Sequence, residues 1–229
     1  MSTKHIRTDA SLLTTRTGFL PYGLVIAPAL ITGLLSYLSE SYVIFSILGI
    51  IWALIFPTFI SLAYLRLSRE EPYTFHTFFV DEAHSNGRRY VLAAFFKEVY
   101  LLGWTLLFII PGIVMQIAYV LSPYLLKDNP DLTANESIAL SSKLMNGHKW
   151  RYVGLYLSIM ALPMVLIALT PLFFTAFFAS ALVAYSPPFW AILFFIFFIL
   201  TAFSGFVLAL RAAPRLHFAT ALFYEQMDK

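Results

Sequence analysis

Uncharged apolar runs alternate along this chain with short polar stretches, and several of the runs are long enough to predict helices that cross a lipid bilayer. A hydrocarbon core about 30 Å thick takes a helix of roughly 20 apolar residues, because backbone polar groups cannot be left unpaired in lipid. Residues 18–38 (GFLPYGLVIAPALITGLLSYL) predict the first such span and 42–64 (YVIFSILGIIWALIFPTFISLAY) the second. Only Ser39, Glu40 and Ser41 lie between them, enough for a hairpin turn. Apolar character returns from 90 to 126 and is interrupted at Pro111-Gly112, within LLFIIPGIVMQIAY. Residues 152–183 form a run that would measure about 48 Å as straight helix, longer than the core. Pro163 and Pro171 are expected to kink or tilt it, since each removes an intrahelical hydrogen bond. Ser186-Pro187-Pro188-Phe189 predicts the next turn, and 190–210 the last span.

The placement of positive charge decides how these runs connect. The 15 Lys and Arg residues fall in four groups: in the N-terminal tail, from Arg66 to Lys97, from Lys127 to Arg151, and from Arg211 onward. If basic loops are cytoplasmic, the chain crosses an even number of times between the second and third groups. That favours two short spans, 90–110 and 111–126, with Pro111 in the first turn of the second. A re-entrant hairpin and a single kinked helix stay open as alternatives. The expected fold is therefore an all-α polytopic membrane protein of six transmembrane helices in one domain, with both termini cytoplasmic, in a plasma membrane. The basic N-terminus, MSTKHIRTDASLLTTRTGF, reads as an uncleaved signal anchor.

Composition agrees: 60% of residues are hydrophobic and 12% charged, against roughly 45–50% and about 25% in soluble proteins. With no cysteine, disulfide scaffolds, thiolate metal sites and a cysteine nucleophile are excluded. The net charge of +3 sits beside apolar segments, so the expected partners are anionic lipid headgroups at the cytoplasmic face, with a membrane protein or a second copy of the chain beside them. Nucleic acid is not expected. The mixed segment after Arg66 carries Tyr73, Phe75, Phe78 and Phe79 among charges and is expected at the interface.

One polar stretch stands out, KDNPDLTANESIALSSKLMNGHKWRY at 127–152. Asn129-Pro130 ends the preceding helix, because the residue before proline is pushed away from helical geometry. Thr133 and Glu136 form a capping box, a helix from 134 to 146 follows, and Gly147 suits a left-handed C-cap. Ile138, Leu140, Leu144 and Met145 give this helix an apolar side, while Glu136, Ser142 and Lys143 stay polar, the pattern of an interfacial amphipathic helix. His148, Lys149, Trp150 and Arg151 then place an aromatic anchor and basic groups where the next span begins.

The remaining polar residues offer a few candidates for chemistry. His148 and Lys149 are adjacent, and neighbours in sequence do not face one another on a helix. Ser141-Ser142-Lys143 has the residue types of a serine–lysine nucleophile pair, in the setting of a surface helix. Asp81, Glu82 and His84, with His76 and Glu70-Glu71 nearby, have the types but no fixed geometry for a metal site. Lys97 and Glu98 fall early in the third span, where charge is costly and often functional, yet close enough to the face to snorkel. Gln116 with Tyr119 offers interhelical hydrogen bonding or part of a polar site. The phenylalanines at 173, 174, 177, 178, 189, 194, 195, 197 and 198 read as packing and lipid-facing surface. No catalytic, cofactor or metal constellation emerges.

The order IPG at 110–112, SPYLLKDNPDLTANESI at 122–138 and SSKLMNGHKWR at 141–151 resembles a group of bacterial multi-pass membrane proteins catalogued as a domain of unknown function. Pro214 followed by Phe223-Tyr224-Glu225 is similar to that group's closing signature. The chain departs from the pattern over 152–210, where the Phe-rich FFTAFFAS and FWAILFFIFFIL stand in place of a glycine-rich, tryptophan-containing turn. More distantly, the chain is similar to the membrane domain that accompanies some glycerophosphodiester phosphodiesterases, and to small envelope proteins of enteric bacteria. Such relatives imply a place in envelope biology. The expectation is a non-enzymatic scaffold or accessory in envelope or export processes; a small transporter or exporter and a lipid-modifying membrane enzyme are the alternatives.

Overall fold

A computed structural model describes residues 3–71, 82–182 and 188–227. The interfacial aromatics at 73, 75, 78 and 79, His76 and Asp81, the side chains of Glu82 and His84, and the turn at 186–187 lie outside what is described. The described residues form helices α1 (Thr3–Arg16), α2 (Leu20–Ser39), α3 (Val43–Ser68), α4 (Glu82–Leu107), α5 (Ile109–Ala118), α6 (Ser122–Asp128), α7 (Ala134–Leu144), α8 (Lys149–Leu182) and α9 (Pro188–Met227). Among the described residues, six segments are long and apolar enough to cross a membrane: Leu20–Ser39, Val43–Ser68, Gly87–Leu107, Ile109–Asp128, Lys149–Ser180 and Phe189–Met227. The protein is an all-α polytopic membrane protein.

Three boundaries differ from the sequence reading. The break between the third and fourth segments falls at Phe108, which is extended (φ −160°, ψ 143°), rather than at Pro111. Pro111 instead sits in the first turn of α5, where its missing N–H has no intrahelical partner to lose. The fourth segment is two helices, because Tyr119–Leu121 turn between α5 and α6. At the ends, residues treated as tails are helical: α1 buries Ile6, Ala10 and Thr14, and α9 runs on past Arg211 to Met227.

The core lies at one end of the bundle. Ile6 and Ala10 of α1, Leu62 and Leu65 of α3, Leu121 and Leu125 of α6, Leu155 of α8, and Phe218 and Phe223 of α9 form one buried cluster. From it two antiparallel hairpins, α2–α3 and α8–α9, extend with exposed apolar faces, among them Leu30, Leu34, Ile44 and Ile50 on the first and Leu162, Val165, Ile192 and Phe203 on the second. That is the inverse of a water-soluble fold and suits a hydrocarbon surround. The α8–α9 register is set by Gly205, where a Cβ would come within 3.1 Å of Ile167 Cγ1, and by Tyr152 against Thr220 (3.2 Å). Beyond Gly205, toward the far end of the hairpin, Phe173–Phe197, Phe174–Phe198 and Phe177–Phe195 meet with ring centroids 5.3 Å apart. Interdigitated rings of this kind supply the van der Waals contact on which helix association in lipid depends.

Candidate functional site at the polar end of the bundle

The polar stretch 127–151 is built around the break in the fourth segment. Where α5 stops, backbone groups lose their helical partners and must find others. Ser141 of α7 meets two of them: its Oγ accepts the Leu121 amide (3.1 Å) and donates to the Ala118 carbonyl (2.7 Å). One turn earlier, Ser137 Oγ lies 3.0 Å from Ser122 Oγ in a buried pair. Alongside them Ile138 packs with Ala118 and Tyr119 in a small second cluster that Phe96, Leu101 and Met115 border. Thus α7 docks through Ser137, Ile138, Ser141 and Met145 as well as lying at a surface.

The caps form as the sequence predicts. The Thr133 amide and hydroxyl both donate to Glu136 Oε2 (2.8 Å each), and the Glu136 amide donates to Thr133 Oγ1 (3.3 Å). The backbone amide of Thr133, then its hydroxyl, hold the Glu136 carboxyl below the usual glutamate range. Asn129 caps α6 through Nδ2 to the Leu125 carbonyl (3.1 Å). Arg89 of α4 donates to the carbonyls of Asn129 and Leu132, on either side of Pro130. Gly147 takes the left-handed conformation expected of it (φ 82°), while Lys143 and His148 stay on the exposed side.

An ion-pair network joins this stretch to elements far away in sequence. Arg69, at the C-cap of α3, grips Asp128 with both terminal nitrogens (2.7 Å each), and its Nε donates to Glu225 of α9 (3.2 Å). The Tyr224 hydroxyl donates to Asp128 Oδ2 (2.7 Å). Hydrogen bonding to Asp128, opposed by partial burial, holds the Arg69 guanidinium still more firmly charged than usual. Arg151 donates to Gln226 (3.0 Å) and lies 5.6 Å from the centre of the Phe223 ring. Arg69 and Ser137 carry no local sequence signal, and Tyr224 and Glu225 enter from sequence only through the Phe223-Tyr224-Glu225 signature, without their partners. The partners stand 59 and 96 residues apart in the two main pairs, and no spacing rule reaches that far.

The other sequence candidates separate. Lys97 and Glu98 pair with each other (3.2 Å). Tyr100, one turn on, donates to Asn135 of α7 (3.1 Å). Tyr119 is buried in the small cluster, whereas Gln116 lines a separate cleft between α5 and α8 of ≈ 630 Å³, together with Lys149 and Trp150. Gly112 packs against Thr105 so tightly that a Cβ would stand 2.4 Å from Thr105 Oγ1 and 3.1 Å from its Cα. Ser141 and Ser142 have no acid–base partner within the hydrogen bonds described. Among the described residues, no group of three or more His, Cys, Asp or Glu side chains is placed to hold a metal ion. Compared with known proteins, the chain matches no family model, no curated protein and no solved structure.

Proposed function

We propose that the protein is a non-enzymatic scaffold or accessory of the plasma membrane, working in envelope or export processes, with its polar end cytoplasmic. The observation that carries this reading is where the reactive side chains are committed. Ser141, Asp128 and Arg69 each hold one helix against another, and Glu136 is committed to the cap of α7, so the polar end serves as a fixed platform beside long apolar hairpins. Anionic headgroups, a membrane protein partner or a second copy of the chain are the surfaces that such a platform meets. The test is purification from native membrane after in situ crosslinking, with parallel reconstitution into liposomes. Defined membrane-protein partners that vanish when the 127–151 stretch is altered support the role; solute flux or lipid turnover by the pure protein overturns it. A small transporter or exporter is the second reading, favoured by the cleft at Gln116 and by the broken fourth segment, a device found in transporters.

A further inference from the structure

The cleft between α5 and α8 has the shape and polarity of a site for one amphiphile. Its volume, ≈ 630 Å³, falls among pockets of roughly 300–1,000 Å³ that enclose small-molecule ligands. One wall is a stripe of α5, Ile110, Ile113, Val114 and Ile117, at the spacing that puts residues on one helical face. The other is Lys149, Val153 and Leu157 of α8, one turn apart from each other. Lys149 therefore heads a continuous apolar ladder. Among the described residues it has no carboxylate at ion-pair distance, so none of them neutralises its charge. Trp150 stands beside it, 85% exposed, as tryptophans do at headgroup level. Gln116 adds a neutral donor and acceptor to the same lining.

We propose that this cleft binds an anionic phospholipid, its phosphate against Lys149 and one acyl chain held between α5 and α8. A cation above an apolar slot is complementary to that ligand in both charge and shape. The site deepens, and rests on, the reading that the polar end meets anionic headgroups.

Trp150 can report the occupant. With Trp52→Phe, Trp104→Phe and Trp190→Phe leaving it as the single tryptophan, the full chain is placed in phosphatidylcholine vesicles containing chain-brominated phosphatidylglycerol or, at matched fraction, chain-brominated phosphatidylcholine. Trp150 fluorescence is expected to be quenched saturably and preferentially by the anionic lipid. Lys149→Gln lowers that preference about fivefold, the effect of one basic side chain at an anionic surface. Ile113→Phe, at a position 53% exposed and so free to accept a ring, fills the slot and removes the saturable component. Equal quenching by both lipids, indifferent to either substitution, overturns the site. If Lys149→Gln abolishes the preference while Ile113→Phe changes nothing, the cleft is refuted and general headgroup attraction stands. Displacement by soluble glycerol phosphate also overturns it, since the ligand would then be a free phosphate ester.

Discussion

The hydroxyl of Ser141 accepts one backbone group and donates to another, which commits its one proton to a backbone carbonyl, a group that cannot act as the general base a serine nucleophile needs. Ser141→Ala is expected to strand the buried Leu121 amide and lower stability by about 1–3 kcal/mol, the cost of an unsatisfied buried group. Ser142→Ala, one residue on and without such bonds, should change little. Thermal unfolding in detergent compares them, and equal melting temperatures for the two variants would remove the role assigned to Ser141. The requirement for this serine arises at a helix break twenty residues earlier in the chain, so nothing in its own neighbourhood announces it. By contrast the Thr133–Glu136 box was legible, because both its members and both the amides they cap lie within four residues. The Arg69–Asp128–Tyr224 network falls on the illegible side for the same reason as Ser141: its geometry exists only after three helices have assembled.

At the scale of elements, the α4–α5 hairpin turns on the contact of Gly112 with Thr105. Gly112→Ala should force the two helices apart at a cost of about 1–3 kcal/mol, as overpacking does. Thr105→Ala, by removing the nearest atom, should recover part of that loss while the backbone contact at 3.1 Å keeps the rest. Additive losses in the double variant would mean that the two residues do not touch. For α7, the expected pH dependence follows from Glu136. Folding lowers this carboxyl, so its contribution is complete above the unfolded value of about 4.3 and is lost as pH falls through the lower folded value. Amide exchange in α7, corrected for the intrinsic rate, should hold steady from neutrality to about pH 5 and rise in stronger acid. In Thr133→Ala, which forfeits about 1 kcal/mol of cap, the acid-dependent step should shrink; an unchanged profile would argue against the box as its source. Hydropathy found the apolar helices but not α1 or the end of α9, since both are mixed in polarity and bury only a narrow stripe. It also gives no reason to bury Ser137 and Ser141, because a hydropathy scale cannot tell a hydroxyl turned to water from one turned to a backbone carbonyl.

For the molecule as a whole, the contact of α1 with α9, made by Ile6 and Ala10 in the cluster that holds Phe218 and Phe223, puts α1 and the last turns of α9 at the end that holds the core. An even number of crossings between them is the expected topology. With no native cysteine, single cysteines at Asn129 and Asn146 provide a clean reading of side. Both should react with membrane-permeant reagents only, or with impermeant ones in inverted vesicles, and labelling from outside intact cells would overturn the cytoplasmic placement of the polar end. The packing of α1 also imposes an order in time. Ile6 and Ala10 are covered by a cluster that includes Phe218 and Phe223, which the ribosome makes more than 200 residues later. At roughly 5–20 residues per second, that leaves α1 waiting for on the order of 10–40 s. During that interval α1 is an unfinished surface, completed only when the far end of α9 returns to it. A chain ended after Leu210 should keep its spans yet leave α1 open to trypsin at Arg7 and Arg16. Equal protection in the shortened and full chains would show that α1 folds without its late partner.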